Sequence, residues 1–258
     1  MISRFDHVVI AVPDVQSAVD AYARLGFDVA AGGKHPSIGT ANAIIRFGLD
    51  YIELLAVEDV EQARTAGPFA GEFLKFCEHG GGLVGFVLAS EKLEDESAGL
   101  SRIDLEHTGP FAMDRERPDG RMLAWRLVIP GTSPWRKPWP FLIQWDTPDE
   151  ERLAWDALGD HANTATGVAG IDLLVEDLAA ARRFYEQGLG LSADSVAPTS
   201  VDYVLSSFTL NVREPQNEAE RNDLAQNGPG PYLLRLRSDT AQPAIETDAA
   251  LGARIAWA

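Results

Sequence analysis

His7 and Glu53 each interrupt an apolar run, Phe5 to Val12 and Tyr51 to Val57. Imidazole nitrogen and carboxylate oxygen are donors that Zn, Fe, Mn and Ni all accept. A Glu in such a strand needs a partner, because an unpaired buried charge is costly. That partner is either a metal or a plain hydrogen bond to His7. His35 lies in the loop-like run Gly32-Gly33-Lys34-His35-Pro36. It reads as a general base near neutral pH or as an exposed loop histidine. Asn42 could orient a substrate oxygen or tie down the start of a strand. Arg46 and Arg126 could neutralise an anionic substrate or stand in solvent. Trp135 and Trp139 could wall a pocket for an apolar ligand or pin down their own loop. His79, His107 and His161 read as structural or exposed.

These residues are positioned by a repeated unit. Phe5 to Val12 alternates as a strand, with Phe5, His7, Val9 and Ala11 on one face. Asp14 then caps a helix whose apolar positions are Val15, Ala18, Val19, Tyr22 and Leu25, and Gly26 ends it. Val175-Glu176-Asp177-Leu178 repeats Val12-Pro13-Asp14-Val15, and Ala181 and Tyr185 follow as Ala18 and Tyr22 do. Leu189-Gly190-Leu191 matches Leu25-Gly26-Phe27 after one inserted residue. Such a repeat dictates architecture. Strands over Phe27 to Ala31, Ala41 to Phe47 and Tyr51 to Val57 complete a βαβββ module. A second runs from Leu83 through a helix at 93–100, a weaker strand within 104–113, a Pro118-Asp119-Gly120 turn and Met122 to Ile129, closing on Phe141 to Trp145. Thr147-Pro148 opens a helix to about Leu158, and 159–167 is a linker. A third module spans 168–213. Residues 216–231 read as a loop. Tyr232 to Arg237 and Ala249 to Ile255 resemble the opening strand and helix of the second module, so residues 232–258 read as a fourth module cut short.

The chain has 258 residues and a net charge of −17, from 22 basic and 39 acidic side chains. That acidity disfavours nucleic acid and anionic membrane surfaces as partners. Cys77 is the only cysteine, so no intrachain disulfide and no cysteine zinc site can form. No leader and no apolar run long enough for a bilayer is evident, and a cytoplasmic location is expected.

Paired βαβββ modules, with His in the opening strand and Glu in the closing strand, resemble the vicinal oxygen chelate superfamily. The runs His35 to Asn42, Phe47 to Leu54 and Pro140 to Trp145 are similar to its glyoxalase-like subgroup. The resemblance implies an α+β fold: paired modules forming a cup-shaped mixed sheet over residues 1–147 (modules 1–60 and 82–147), a helix and linker at 148–164, and a partial second copy at 165–258. It implies metal ligands at His7 and Glu53, and at Gln144 because Ile143-Gln144 matches Ile52-Glu53. Trp145 would then face the helices. The remaining ligand slot falls on Leu83 or Gly85, which cannot bind metal; in the third module the slots fall on Gly170 and about Asn211. The expected catalytic residues are His35 and Glu53, with Asn42, Arg126, Trp135 and Trp139 on the substrate. Three functions fit: a divalent-metal-assisted lyase, isomerase or dioxygenase acting on vicinal oxygens; a metal-free small-molecule binding protein; or a scaffold with a decayed site. The cut-short module suggests a homodimer covering an open sheet edge.

Overall fold

The computed structural model describes every residue except 36, 118, 119, 156 and 157, so the turn expected at Pro118-Asp119 lies outside the described residues. The first module is β1 (Ile2–Ala11), α1 (Val15–Arg24), β2 (Ala30–His35), β3 (Thr40–Arg46) and β4 (Tyr51–Val57). Helices α2 (Val60–Thr65) and α3 (Pro68–Glu78) lead to the second module. That module is β5 (Gly82–Ser90), α4 (Leu93–Arg102), β6 (His107–Glu116), β7 (Met122–Pro130) and β8 (Phe141–Trp145). Helix α5 (Asp149–Trp155) precedes the third: β9 (Ala165–Leu174), α6 (Leu178–Arg182), β10 (Ser195–Ala197), β11 (Ser200–Leu205) and β12 (Phe208–Arg213). The chain continues through α7 (Glu218–Asn227), β13 (Gly230–Ser238) and β14 (Ile255–Trp257).

Two curled mixed sheets result. The first has eight strands in the order β2-β3-β4-β1-β5-β8-β7-β6, and the second has six in the order β10-β11-β12-β9-β13-β14. In each, the opening strand of one module pairs antiparallel with the opening strand of the next, β1 with β5 and β9 with β13. Val8 to Val12 and Ile171 to Val175 therefore hold the same topological place. The helix start is built twice in the same way. Asp14 Oδ1 accepts from Ser17 N at 2.8 Å, and Asp177 Oδ1 accepts from Ala180 N at 2.9 Å. The inserted residue before Leu189 is absorbed by a single π-helical stretch, Arg183–Gly188, after α6.

The course of the chain departs from the sequence reading in several places. Gly32 and Gly33 continue β2 instead of ending it, because the Gly33 amide donates to Asn42 Oδ1 and Gly32 lies against Asn42. The polar segment at 216–231 contains α7, started by Asn217, whose side chain accepts from Glu220 N. The Ala249 to Ile255 stretch is not a helix. It turns, and Ile255–Trp257 pairs parallel with β13 as β8 pairs with β5. The fourth module thus retains its opening and closing strands without the hairpin between them. Phe5 departs from the face of His7, because a bulge between Phe5 and His7 shifts the alternation of β1.

One apolar core runs through both sheets. It joins Val8, Ile10, Phe86 and Leu88 to Ile171, Tyr203, Leu210 and Leu234. Phe5 stacks on Phe208 with ring centroids 4.3 Å apart, and the Tyr22 hydroxyl donates to Ala250 O at 3.0 Å. Phe5→Ala is expected to lower stability by about 3–5 kcal/mol, with both sheets melting in one transition. A urea titration followed by far-ultraviolet and tryptophan signals checks this, and separate transitions would contradict a shared core. A second, smaller cluster lies on the opposite face of the first sheet, around Val9, Leu55, Phe73, Val87, Trp135 and Ile143. No helix among the described residues is long and apolar enough to cross a membrane.

Candidate functional site

The curl of the first sheet forms a partly open cavity. Its polar end comes from the first module: His7, His35, Asn42, Tyr51 and Glu53. Its apolar wall includes Phe69 from α3 and Trp125, Trp135, Phe141, Ile143 and Trp145 from the second module. Arg115, on β6, adds a cation.

The bulge that turns Phe5 away also sets Asp6 beside the ring of His7. Asp6 is 0% exposed, and its Oδ1 lies 2.7 Å from His7 Nδ1. Its Oδ2 accepts from Arg4 Nη1 at 2.8 Å and from Trp145 Nε1 at 2.9 Å, with Arg152 Nη1 at 3.8 Å. Burial alone would raise the Asp6 pKa. The His7 hydrogen bond and the charges of Arg4 and Arg152 outweigh it and hold the carboxyl well below the usual range. An ionised Asp6 accepts the Nδ1 proton, so the lone pair of the neutral His7 ring sits on Nε2. Tyr51 stacks on that ring at 4.4 Å, and burial, then the charges of Asp6 and Glu53, push its hydroxyl pKa well above the ordinary value.

His7 Nε2 lies 3.7 Å from Glu53 Oε2. The other carboxylate oxygen, Oε1, accepts from Asn42 Nδ2. Asn42 Oδ1 accepts from Gly33 N at 2.7 Å and from Arg115 Nη1 at 3.4 Å. Arg115 Nε is buried with no hydrogen-bond partner among the described residues. His35 Nδ1 lies 3.0 Å from Thr40 Oγ1. Burial lowers the His35 pKa, the Glu53 charge opposes that, and the Arg115 charge adds to it.

Of the residues singled out from sequence, the fold gathers His7, His35, Asn42, Glu53 and Trp135 around one cavity. It places three others elsewhere. Gln144 points to the helix side, where its Nε2 donates to Glu91 O at 2.8 Å and its Oε1 accepts from Arg126 Nη2 at 2.7 Å. Arg126 also pairs with exposed Glu94. Trp139 packs on Phe184 in the shared core. The error at Gln144 is one residue. Glu53 pairs with Val9, two residues beyond His7, and Ile143 pairs with Ala89, two beyond Val87. Ile143 and Val87 are therefore the counterparts of Glu53 and His7, and Trp145 faces the cavity rather than the helices. A slip of one residue in a strand exchanges its faces. Gly85, considered above as a ligand slot, lies against Trp135: a Cβ there would be in ordinary van der Waals contact with the indole at 3.5 Å.

The third module keeps the same register with different chemistry. Asn211 pairs with Asp172 as Glu53 pairs with Val9, and Gly170 takes the place of His7. Asp172 is bound by Arg213 at 3.4 Å and by Arg235, and Arg213 is bound by Glu220 of α7 at 2.7 Å. An ion cluster thus lies where the first sheet has a cavity. The pairing of Asp172 with Arg213 agrees with their charges in sequence.

Residues 5–190 match a protein family described as "Glyoxalase-like domain". The chain belongs to the glyoxalase-like domain family. A search of curated proteins finds no match. Among solved structures, a hypothetical protein from Staphylococcus aureus is 16% identical, with 98% of this chain and 99% of that one aligned at a TM-score of 0.74. A triple mutant of 4-hydroxymandelate synthase from Streptomyces coelicolor is 14% identical, covering 93% and 72% at 0.57. A xylose isomerase-like TIM barrel/4-hydroxyphenylpyruvate dioxygenase fusion protein is 17% identical, covering 93% of this chain and 37% of that one at 0.54. These likenesses show the vicinal oxygen chelate fold.

A divalent metal is common in that superfamily, and the donor set of this glyoxalase-like chain can be tested against it. Only His7 and Glu53 of the four register-related positions carry donors, since Val87 and Ile143 are apolar. No group of three or more His, Cys, Asp or Glu among the described residues could hold a metal. Catalytic sites of this type normally take three protein ligands, so the residues do not fit a resident metal. Dialysis against a chelator is expected to leave the melting temperature unchanged. A fall restored by Zn, Fe, Mn or Ni would show otherwise.

Proposed function

We propose that this glyoxalase-like protein is a small-molecule isomerase or lyase that moves a proton at a carbon beside a carboxylate-bearing, oxygenated centre. The observation that carries the reading is the convergence of His7 Nε2 and Glu53 Oε2, 3.7 Å apart at one end of the cavity. A C–H or O–H seated between them can give its proton to either base. With Nδ1 of His7 committed to Asp6, Nε2 is the ring atom that receives it. The electrons left behind move onto the neighbouring carbonyl oxygen as an enolate, and the guanidinium of Arg115 is the cation in the cavity that can stabilise it. Where the carbon that lost the proton carries a hydroxyl, that hydroxyl gives up its proton and becomes the new carbonyl as a proton returns to the former carbonyl carbon, which completes an isomerisation. Where the next carbon on the far side from the carbonyl carries a leaving group, re-formation of the carbonyl expels it with a new carbon–carbon double bond, a lyase outcome. His35 is the second group able to relay the proton.

The aromatic wall supports a ligand with an apolar ring. The 4-hydroxyphenylpyruvate named in one structural neighbour has that character, an aromatic ring joined to a 2-oxo acid. The same apolar lining favours a second reading, a protein that sequesters such a molecule without turning it over. Either reading keeps the division near residues 147 and 165, a cytoplasmic location, small-molecule rather than nucleic-acid partners, and a homodimer as proposals.

Arg115→Met is expected to weaken binding of phenylpyruvate by about 10- to 100-fold, the effect of losing hydrogen bonds to a charged group. Binding of the neutral ketone phenylacetone should be nearly unaffected. Titration calorimetry with both ligands decides it: equal losses for the two would contradict a carboxylate partner at Arg115, and no binding of either to the unaltered protein would contradict the function.

A further inference from the structure

The cavity does not end at its aromatic wall. A second apolar hollow opens along β6 and β7, and Ile38, Phe69, Met113 and Leu127 line both. Beyond those shared residues, it is floored by Phe111, Ile129 and Thr108 and rimmed by Gly131, Thr132 and Pro134. Strand geometry explains the continuity. Met113 pairs with Trp125, Phe111 with Leu127 and Thr108 with Ile129, so successive inward positions step from the cavity to the far end of the hairpin. Trp125 to Ile129 is four steps along the strand, about 13 Å. The first module thus contributes donors and acceptors to one trough, and the second contributes hydrocarbon apart from Arg115.

Resting on the proposed function, we propose that the natural ligand is amphipathic. Its carboxylate end sits between Arg115 and the His7–Glu53 pair, and an extended apolar chain or fused ring system lies along the hollow over Leu127 to Ile129. A compact 2-oxo acid fills only the polar end. The continuity of lining residues, rather than mere exposure of an apolar face, selects the tail of the same molecule as the occupant.

The test is calorimetric binding of straight-chain 2-oxo acids, from pyruvate through 2-oxohexanoate to 2-oxododecanoate, to the full chain. Affinity is expected to rise about threefold to fourfold for each methylene entering the hollow, the transfer effect of burying a CH₂ group, and to level off once the chain reaches the rim. Ile129→Trp fills the hollow and is expected to abolish the preference for long over short chains. Because Ile129 is 9% exposed and its replacement could disturb folding, Thr108→Trp, at the exposed pairing partner of Ile129, is the second variant and should reduce the same ratio. If short and long acids bind equally to the unaltered protein, the hollow is not a tail site and the inference falls while the proposed function stands. If the long-chain preference survives both variants, it arises elsewhere and the inference falls. If no 2-oxo acid binds at all, the proposed function itself falls, and the inference with it. A dimer of the 28.0 kDa chain that Thr108→Trp dissociates would show that a second copy covers the hollow, and would also overturn it.

Discussion

Replacing His7 with Gln is expected to slow substrate proton exchange by about 10²- to 10⁴-fold, the usual contribution of a positioned general base. Gln retains a donor that can reach Asp6 but presents no basic lone pair at the place of Nε2. The Arg115 contact is on another strand, so phenylpyruvate affinity should hold. The split between a lost rate and a retained affinity distinguishes a base from a packing residue. Glu53→Gln is the companion measurement. Should exchange survive in His7→Gln and vanish in Glu53→Gln, the proton goes to the carboxylate, and His7 acts by holding it in place.

Asp6→Asn is expected to have a large effect on stability. The Asp6 carboxylate is wholly buried and holds Arg4, Trp145 and His7 by hydrogen bonds, with Arg152 nearby. Arg152 is only 6% exposed at its side chain and lies over the Trp145 ring at 3.7 Å. Asp149 also binds both arginines, with Arg4 at 2.8 Å and Arg152 at 3.4 Å, which softens the loss. Removing one partner of a buried charge network costs about 3–5 kcal/mol, so the denaturation midpoint should fall steeply. Asn can also turn its NH₂ toward His7 and favour the other tautomer, so exchange should fall as well. Urea denaturation and nitrogen NMR of the imidazole measure the two effects separately. An unchanged midpoint would mean that Asp149 alone suffices for both arginines.

Much of this arrangement is legible in the chain. The Asp14 and Asp177 caps, the apolar helix faces behind them and the return of the strand before each define the repeat, and the structure builds both copies on the same register. His7 and Glu53 are readable because each is a polar residue in an apolar strand. What is not readable depends on phase. A bulge at Asp6 puts neighbours that alternation sends to opposite faces into hydrogen-bond contact, so an Asp-His dipeptide in a buried strand was the overlooked sign. The match of Ile143-Gln144 to Ile52-Glu53 is natural by residue type, yet the ladder places it one residue off, and Gln144, Trp145 and Arg126 change sides together. Arg115 was missed because its strand carries Gly109, Pro110 and several charges and has weak alternation; only pairing with β7 makes it a wall of the cavity. Helix α7 has an evenly polar surface with no apolar stripe, and its Asn217 cap is the one local mark of its start.

The most direct measurement is proton NMR of a 2-oxo acid incubated with the protein in deuterium oxide. The expected result is loss of the signal from the protons beside the carbonyl at a rate proportional to protein concentration, with no such loss in His7→Gln, Glu53→Gln double-variant protein that still binds the acid. Saturable binding of the acid with those protons fully retained by the unaltered protein would contradict proton transfer at this site.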